Sequence, residues 1–326
     1  MRAIAIVGLG LALLFGAVKT GTGQEKTAFI VRNTSEGPRV MAESGLLEML
    51  RRNGFAASGV ETVKLTPAEE KEYGEWNRDA LENRHIGRLV SGRRLNEGLT
   101  IGLLTNCVDV LGMLAGLQHL GPPGAASAAP PREGLAGRKP LRVGLIYLDA
   151  HADFNTPETT LSGMLGGMDV AVAAGMCLTR LRLKVGLDPA LPTRYIVLGG
   201  LRDVDPLEQE LLDRSDAAFL SVDELRRAST KIDAELDRLG RLTDVIYVHI
   251  DMDVLDPREV RGHSLSVPEG PTSLELAASV ERMFRHPKTL AIGIASLPFG
   301  ERDKDGASLK AAYRLIEGAL KGCAGR

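Results

Sequence analysis

Short apolar runs alternate along the chain with stretches of helical periodicity. The runs at 27–31, 60–65, 99–104, 141–148, 194–200, 217–220, 245–250 and 290–294 are rich in aliphatic and β-branched residues. Runs of this length, bounded by turn residues, predict strands buried on both faces. Between them, 39–53 places Val40, Leu46, Leu47 and Leu50 on one helical face, and Gly54 stops it. Thr66 and Pro67 carry a helix-start signal, as N-cap and first-turn proline. The charged stretch 69–94 reads as a solvated helical region. Further helices are expected up to Leu117 and at 168–174, 221–242, 273–284 and 308–320. This alternation indicates an α/β fold: a doubly wound, mostly parallel sheet between two helical layers.

Two of the runs end in acidic clusters. The run 141–148 leads into Asp149, His151 and Asp153, with Ala150 and Ala152 between them. The run 245–250 leads into Asp251, Asp253 and Asp256. In an extended strand end, alternate side chains share one face. Both groups then meet at the carboxyl edge of the sheet, where open α/β sheets bind ligands. A lone aspartate there is usually only a helix N-cap. Four carboxylates and an imidazole from two strand ends instead suit one or two hard divalent ions, Mn before Zn or Cu. Two such ions would sit roughly 3.5–4 Å apart and activate a bridging water.

Composition narrows the setting. A chain of 326 residues with 44% hydrophobic content has ample material for a core. Its net charge of -2, with both signs mixed, gives no electrostatic footprint for nucleic acid. The three cysteines, Cys107, Cys177 and Cys323, have neither zinc-finger spacing nor an even count for a disulfide framework. Arg2, the apolar stretch 3–18 and the small polar residues 20–24 resemble a secretory leader, too short and glycine-rich for a membrane span. The rival reading is a first core strand at 4–7. The expected organisation is a leader at 1–23 and one domain at 24–326, with a Pro/Gly/Ala-rich loop at 121–139. Removal of the leader would place the protein in or beyond a bacterial-type envelope; retention would leave it in the cytoplasm. No stable membrane anchor is expected.

Asp149, His151 and Asp153 together with Asp251, Asp253, Asp256 and Pro257 make the chain resemble the ureohydrolase family of arginases, agmatinases and formiminoglutamases. The resemblance runs from about Thr27 to the C-terminus and includes Glu36 to Pro38, Asn155, Pro157, Ser162, Gly163 and the segment 201–208. It implies the arginase-type doubly wound sheet, two Mn ions, a small-molecule substrate, hydrolysis of a guanidino or related C–N bond, and a trimer or hexamer. Carried over by position, Asp149 and Asp251 would bridge the metals. His151 and Asp253 would serve one ion and Asp153 the other. Asn155 and Ser162 match residues that hold a substrate carboxylate in arginases; Asp205 and Glu208 match acids at its amino end.

Four positions depart from the family pattern. Cys107 stands where a third-strand histidine should ligate metal; as a thiolate it would favour softer ions, and as a buried thiol it would be inert. Gly166 replaces a proton-shuttling histidine, and His263, in the loop after Asp253, is the nearby imidazole for that role. Met164 replaces a carboxylate-binding asparagine. No carboxylate falls at 295–298, from Ala295 on, where an acid should grip a guanidinium. Three functions follow as alternatives: a divergent metal-dependent C–N hydrolase with Asp253 and His263 as catalytic residues; a weak or inactive homologue that binds metal or a small amino compound; and a metal-dependent amidase or deacetylase of related fold.

Overall fold

The computed structural model describes residues 26–121 and 139–326. The expected leader and most of the Pro/Gly/Ala-rich loop lie outside these residues. The strands are β1 (Lys26–Arg32), β2 (Phe55–Thr62), β3 (Leu99–Leu103), β4 (Val143–Leu148), β5 (Ile196–Gly199), β6 (Ala218–Leu220), β7 (Val245–Asp251) and β8 (Thr289–Ala295). Among the described residues they form one eight-stranded sheet in the order β2-β1-β3-β8-β7-β4-β5-β6. Every neighbouring pair is parallel. The helices are α1 (Glu36–Met41), α2 (Leu47–Arg52), α3 (Glu75–Ser91), α4 (Val110–Gln118), α5 (Asp169–Ala173), α6 (Thr179–Val185), α7 (Pro206–Asp213), α8 (Val222–Arg226), α9 (Lys231–Leu242), α10 (Ser273–Phe284) and α11 (Ala307–Ala324).

Several expected boundaries move, each for a local reason. The helix expected at 39–53 is interrupted at Gly45, whose φ of 109° lies outside helical space. The strand expected at 60–65 starts earlier, because Phe55 pairs with Lys26 at the start of β1. Thr66 does accept from Glu69 N–H at 3.3 Å, but only the short 3₁₀ turn Glu69–Lys71 follows. Gly74, at φ 91°, separates that turn from α3. The helix expected at 221–242 is two helices, α8 and α9.

Alternate strand residues supply the two halves of the core. Ile146 and Leu148 of β4, with Val248 and Ile250 of β7, join Leu276, Val280, Leu315 and Ile316 of α10 and α11. Leu145 and Tyr147, with Val245 and Tyr247, join Ile86, Val90, Leu111 and Leu114 of α3 and α4. On that second side α3 and α4 lie very close: a Cβ at Gly112 would come within 2.5 Å of the Asn83 carbonyl oxygen. Among the described residues no helix is long and apolar enough to cross a membrane.

Candidate metal centre

The register aligns the two acidic motifs. Leu148 pairs with Ile250, so Asp149, just after β4, stands level with Asp251, the last residue of β7. β8 ends beside them, with Ala295 paired to Asp251.

The motifs converge through tight turns and not through strand alternation. β4 stops at Leu148; Asp149 Oδ1 then accepts the His151 N–H at 2.7 Å. Asp153 takes a left-handed backbone conformation, φ 47°, which aspartate tolerates better than most non-glycine residues. Asp251 Oδ1 likewise accepts the Asp253 N–H at 2.8 Å, and Met252–Val254 form a 3₁₀ turn. Each leading carboxylate therefore folds its own loop, and the spacing of two reflects an Asx-type turn.

The result is a dense set of metal-competent atoms. His151 Nδ1 lies 3.1 Å from Asp253 Oδ2 and 3.3 Å from Asp149 Oδ1. Cys107 Sγ lies 2.7 Å from Asp251 Oδ2 and 3.6 Å from Asp149 Oδ2. Three overlapping groups, Cys107/Asp149/Asp153, Asp149/His151/Asp253 and Asp251/Asp253/His263, each bring their ligand atoms within 4.8 Å of one another. These donors fit one or two divalent cations. All line a cavity of about 270 Å³ at the carboxyl edge of the sheet.

Electrostatics agree with a cation requirement. Burial, reinforced by neighbouring carboxylates, pushes Asp149 well above the carboxylate range. Burial also lifts Asp153 to about 8, against the Tyr147 hydroxyl and His151, which favour its charge. Asp251 rises to about 6, from burial and then the charge of Asp253. Burial opposes the charge of His151, but Asp253 and the other acids outweigh it and raise the imidazole to about 9. Asp253 moves the other way: burial works against its charge, yet its bond with His151 holds it below the usual range. Packed carboxylates of this kind need protons or a cation.

The remaining expected residues divide. Asn155 Nδ2 donates to Asp205 Oδ2 at 3.0 Å, and its Oδ1 accepts from Thr159 at 2.8 Å. Ser162 is exposed on the cavity rim, where its hydroxyl accepts the Met164 N–H at 3.2 Å. Glu208 borders the cavity, but its two oxygens accept the Phe154 N–H at 2.7 Å and the Asp205 N–H at 3.1 Å. It therefore anchors the Asp153 loop to the start of α7, where Asp205 itself caps the helix and accepts from Asn155 at the cavity wall. Gly166 leaves open space at the cavity wall. Of residues 295–298 only Ser296 lines the cavity; it has φ 61° and sits 4.0 Å from Cys107 Sγ. His263 does not extend into solvent as a proton carrier would. Its side chain is 8% exposed, with Nε2 3.5 Å from Asp251 Oδ1.

A buried polar tier beneath the acids was not identified from sequence. The Tyr147 hydroxyl donates to Asp153 and lies 3.3 Å from Asp169 Oδ1. His249 stacks on Tyr147 at a centroid distance of 4.8 Å, and its Nδ1 is 2.9 Å from the Tyr247 hydroxyl. The available signal was polar residues inside apolar runs: Tyr147, Tyr247 and His249 on strands, and Asp169 as a lone charge in an apolar helix. Arg202 was also passed over. Its guanidinium donates to the carbonyls of Gly200, Asp253, Val254, Val267 and Pro268 at 2.7–3.2 Å. It thereby ties the loop after β5 to the loop after β7.

Known proteins share this architecture. The chain is 31% identical over 147 residues to an arginase of Brevibacillus brevis, covering 43% of this chain and 49% of that protein. It is 28% identical over 269 residues to an arginase of Agrobacterium fabrum, covering 81% and 78%. The chain thus spans about half the length of several curated relatives that it matches. The crystal structure of an arginase from Bacillus cereus superposes with a TM-score of 0.74 at 19% identity, covering 91% of this chain and 99% of that one. The fold is the arginase-type three-layer α/β sheet. The model of the Arginase family matches residues 126–317, more than half of the 326 residues, and the chain belongs to that family.

Proposed function

We propose that the protein is a binuclear-metal hydrolase, with Mn as the expected ion, acting on a guanidino, amidino or related non-peptide C–N bond. The observation that carries this reading is the meeting of the three overlapping ligand groups in one cavity. Asp149 and Asp251 would be shared between two cations. Cys107 and Asp153 would complete one position, and His151 and Asp253 the other. Two bound divalent ions supply an activated water as nucleophile and polarise the carbon it attacks. Asp253 would hold an ion together with His151, and its carboxylate faces the cavity where it would accept a hydrogen bond from the water that the ions supply. Asn155, Ser162 and Asp205 form the polar wall that orients the far end of a small substrate, and Glu208 holds Asp205 in place. On the family resemblance the protein is also inferred to assemble as a trimer or hexamer.

One observation favours a second reading. The end of β8 presents only Ser296 to the cavity, so a guanidinium would lack its paired acid. A weak or inactive homologue that binds metal without turning over guanidino compounds accounts for that. Metal analysis of the purified, Mn-loaded protein beside Asp251→Asn, with urea release from arginine and agmatine, separates the two. Two Mn per chain and urea release, both lost in Asp251→Asn, support the hydrolase. Bound Mn without urea from either compound supports the second reading. A wild-type chain that takes up no metal overturns both.

A further inference from the structure

We propose that His263 is a ligand of the metal centre, so that an imidazole missing from the end of β3 is supplied by the loop after β7. The inference rests on the binuclear reading above and adds a donor to it. His263 lies between exposed neighbours, Arg261, Ser264 and Leu265, yet its own side chain turns inward and is 8% exposed. Two contacts fix the loop in that position. Arg202 holds its far end at Val267 and Pro268. Gly262 lies directly on Arg302, where a Cβ would overlap the Arg302 carbonyl.

The inward ring faces acids. Nε2 is 3.5 Å from Asp251 Oδ1, and Nδ1 is 3.9 Å from Asp253 Oδ2. These separations are long for N–H···O bonds. The shorter one suits two donors about a shared cation, and the ligand atoms of Asp251, Asp253 and His263 all lie within 4.8 Å of one another. The competing contact is weak, since Nδ1 accepts the Leu265 N–H at 3.3 Å. The nitrogen that binds gives up either that contact or its approach to Asp251.

The centre would then have two unlike positions. One offers a sulfur and carboxylates, from Cys107, Asp149 and Asp153. The other offers two imidazoles, His151 and His263, with Asp253 and the shared acids. The sulfur would then serve one position and the two imidazoles the other, with Asp251 between Cys107 and His263.

The test uses Mn(II) alone. Calorimetric titration of the wild type should show two ions. His263→Ala should keep the first and bind the second about 10–100-fold more weakly. Pulsed EPR of the Mn-loaded wild type should show couplings from two imidazoles, and one after either His151→Ala or His263→Ala. Unchanged affinities and unchanged couplings in His263→Ala would overturn the inference and leave the binuclear reading standing. If His263→Ala does not fold, His151→Ala decides: a remaining imidazole coupling supports the inference, and none overturns it. A wild type that binds no Mn overturns both readings together.

Discussion

Cys107 Sγ points at Asp251 Oδ2 from 2.7 Å, across the gap between the end of β3 and the end of β7. Burial and the carboxylates of Asp251, Asp153 and Asp149 push the thiol well above its ordinary pKa, so without a cation it keeps its proton and donates it to Asp251. The sulfur is thus aimed into the acidic cluster as a ligand would be, although its other neighbours belong to the apolar core. A bound divalent ion would displace that proton. The expected outcome is a near-ultraviolet thiolate-to-cobalt absorption in the Co(II)-loaded wild type, absent in Cys107→Ser. Cys107→His should move the Zn-over-Mn preference toward Mn by about tenfold, about 1.4 kcal/mol. Identical cobalt spectra for wild type and Cys107→Ser would make the thiol a core residue only.

Ser296 faces the cavity at the end of β8, where the family resemblance leads one to expect a guanidinium-binding acid. Its left-handed backbone, φ 61°, suits aspartate. Ser296→Asp should therefore place a carboxylate in the cavity without straining the chain. A charge-assisted bond of about 1.5–3 kcal/mol corresponds to a KM for agmatine roughly ten- to a hundredfold lower, read by urea release from the Mn-loaded variant. An unchanged KM, with Mn still bound, would mean that the reacting group does not lie against the end of β8.

Asp79, on α3, offers a pH test outside the group of metal-competent residues. Burial, with repulsion from Glu82 and Glu75, raises its carboxyl from 3.8 to about 6. The folded chain therefore binds this proton more tightly than the unfolded chain does. The associated stability is present below about pH 3.8 and is lost as pH rises through about 6. Asp79→Asn, which mimics the protonated form, should raise the melting temperature at pH 8 by the equivalent of about 1 kcal/mol after solvent screening. The gain should shrink toward pH 4.5. An equal gain at both pH values would assign the effect to packing.

Much of the sheet was legible because buried parallel strands leave unbroken apolar runs. β4, β7 and β8 fall within a residue or two of expectation, which brings the aspartates at the ends of β4 and β7 to one edge. Where the local signal was a helix start, as at Thr66, the outcome depended on a glycine several residues on. Gly45 broke a helix whose apolar spacing continued past it, and Gly74 divided the charged stretch 69–94 into a short turn and α3. The metal-ligand candidates were legible as spacing, but the reason for the spacing was not. A strand pleat and an Asx turn both place acids two apart, and only the positive φ of Asp153 and the bonds to His151 and Asp253 distinguish them. Least legible were side chains that act through distant partners. Tyr147 and Asp169 are 22 residues apart, and nothing along the chain announces that both approach Asp153. His263 was legible only as a nearby loop imidazole, because the turn that sends it inward depends on Arg302 and Arg202.

Arg202 gives the centre a mechanical property that no single ligand has. With all its donors directed to backbone carbonyls of two loops, it welds the wall carrying Asp203 and Asp205 to the wall carrying Asp253 and His263. The two walls are therefore tied into one unit through a single side chain. Lysine, a point charge without the planar fork, could not make that joint, so the spacing of the two walls of the cavity rests on one planar side chain.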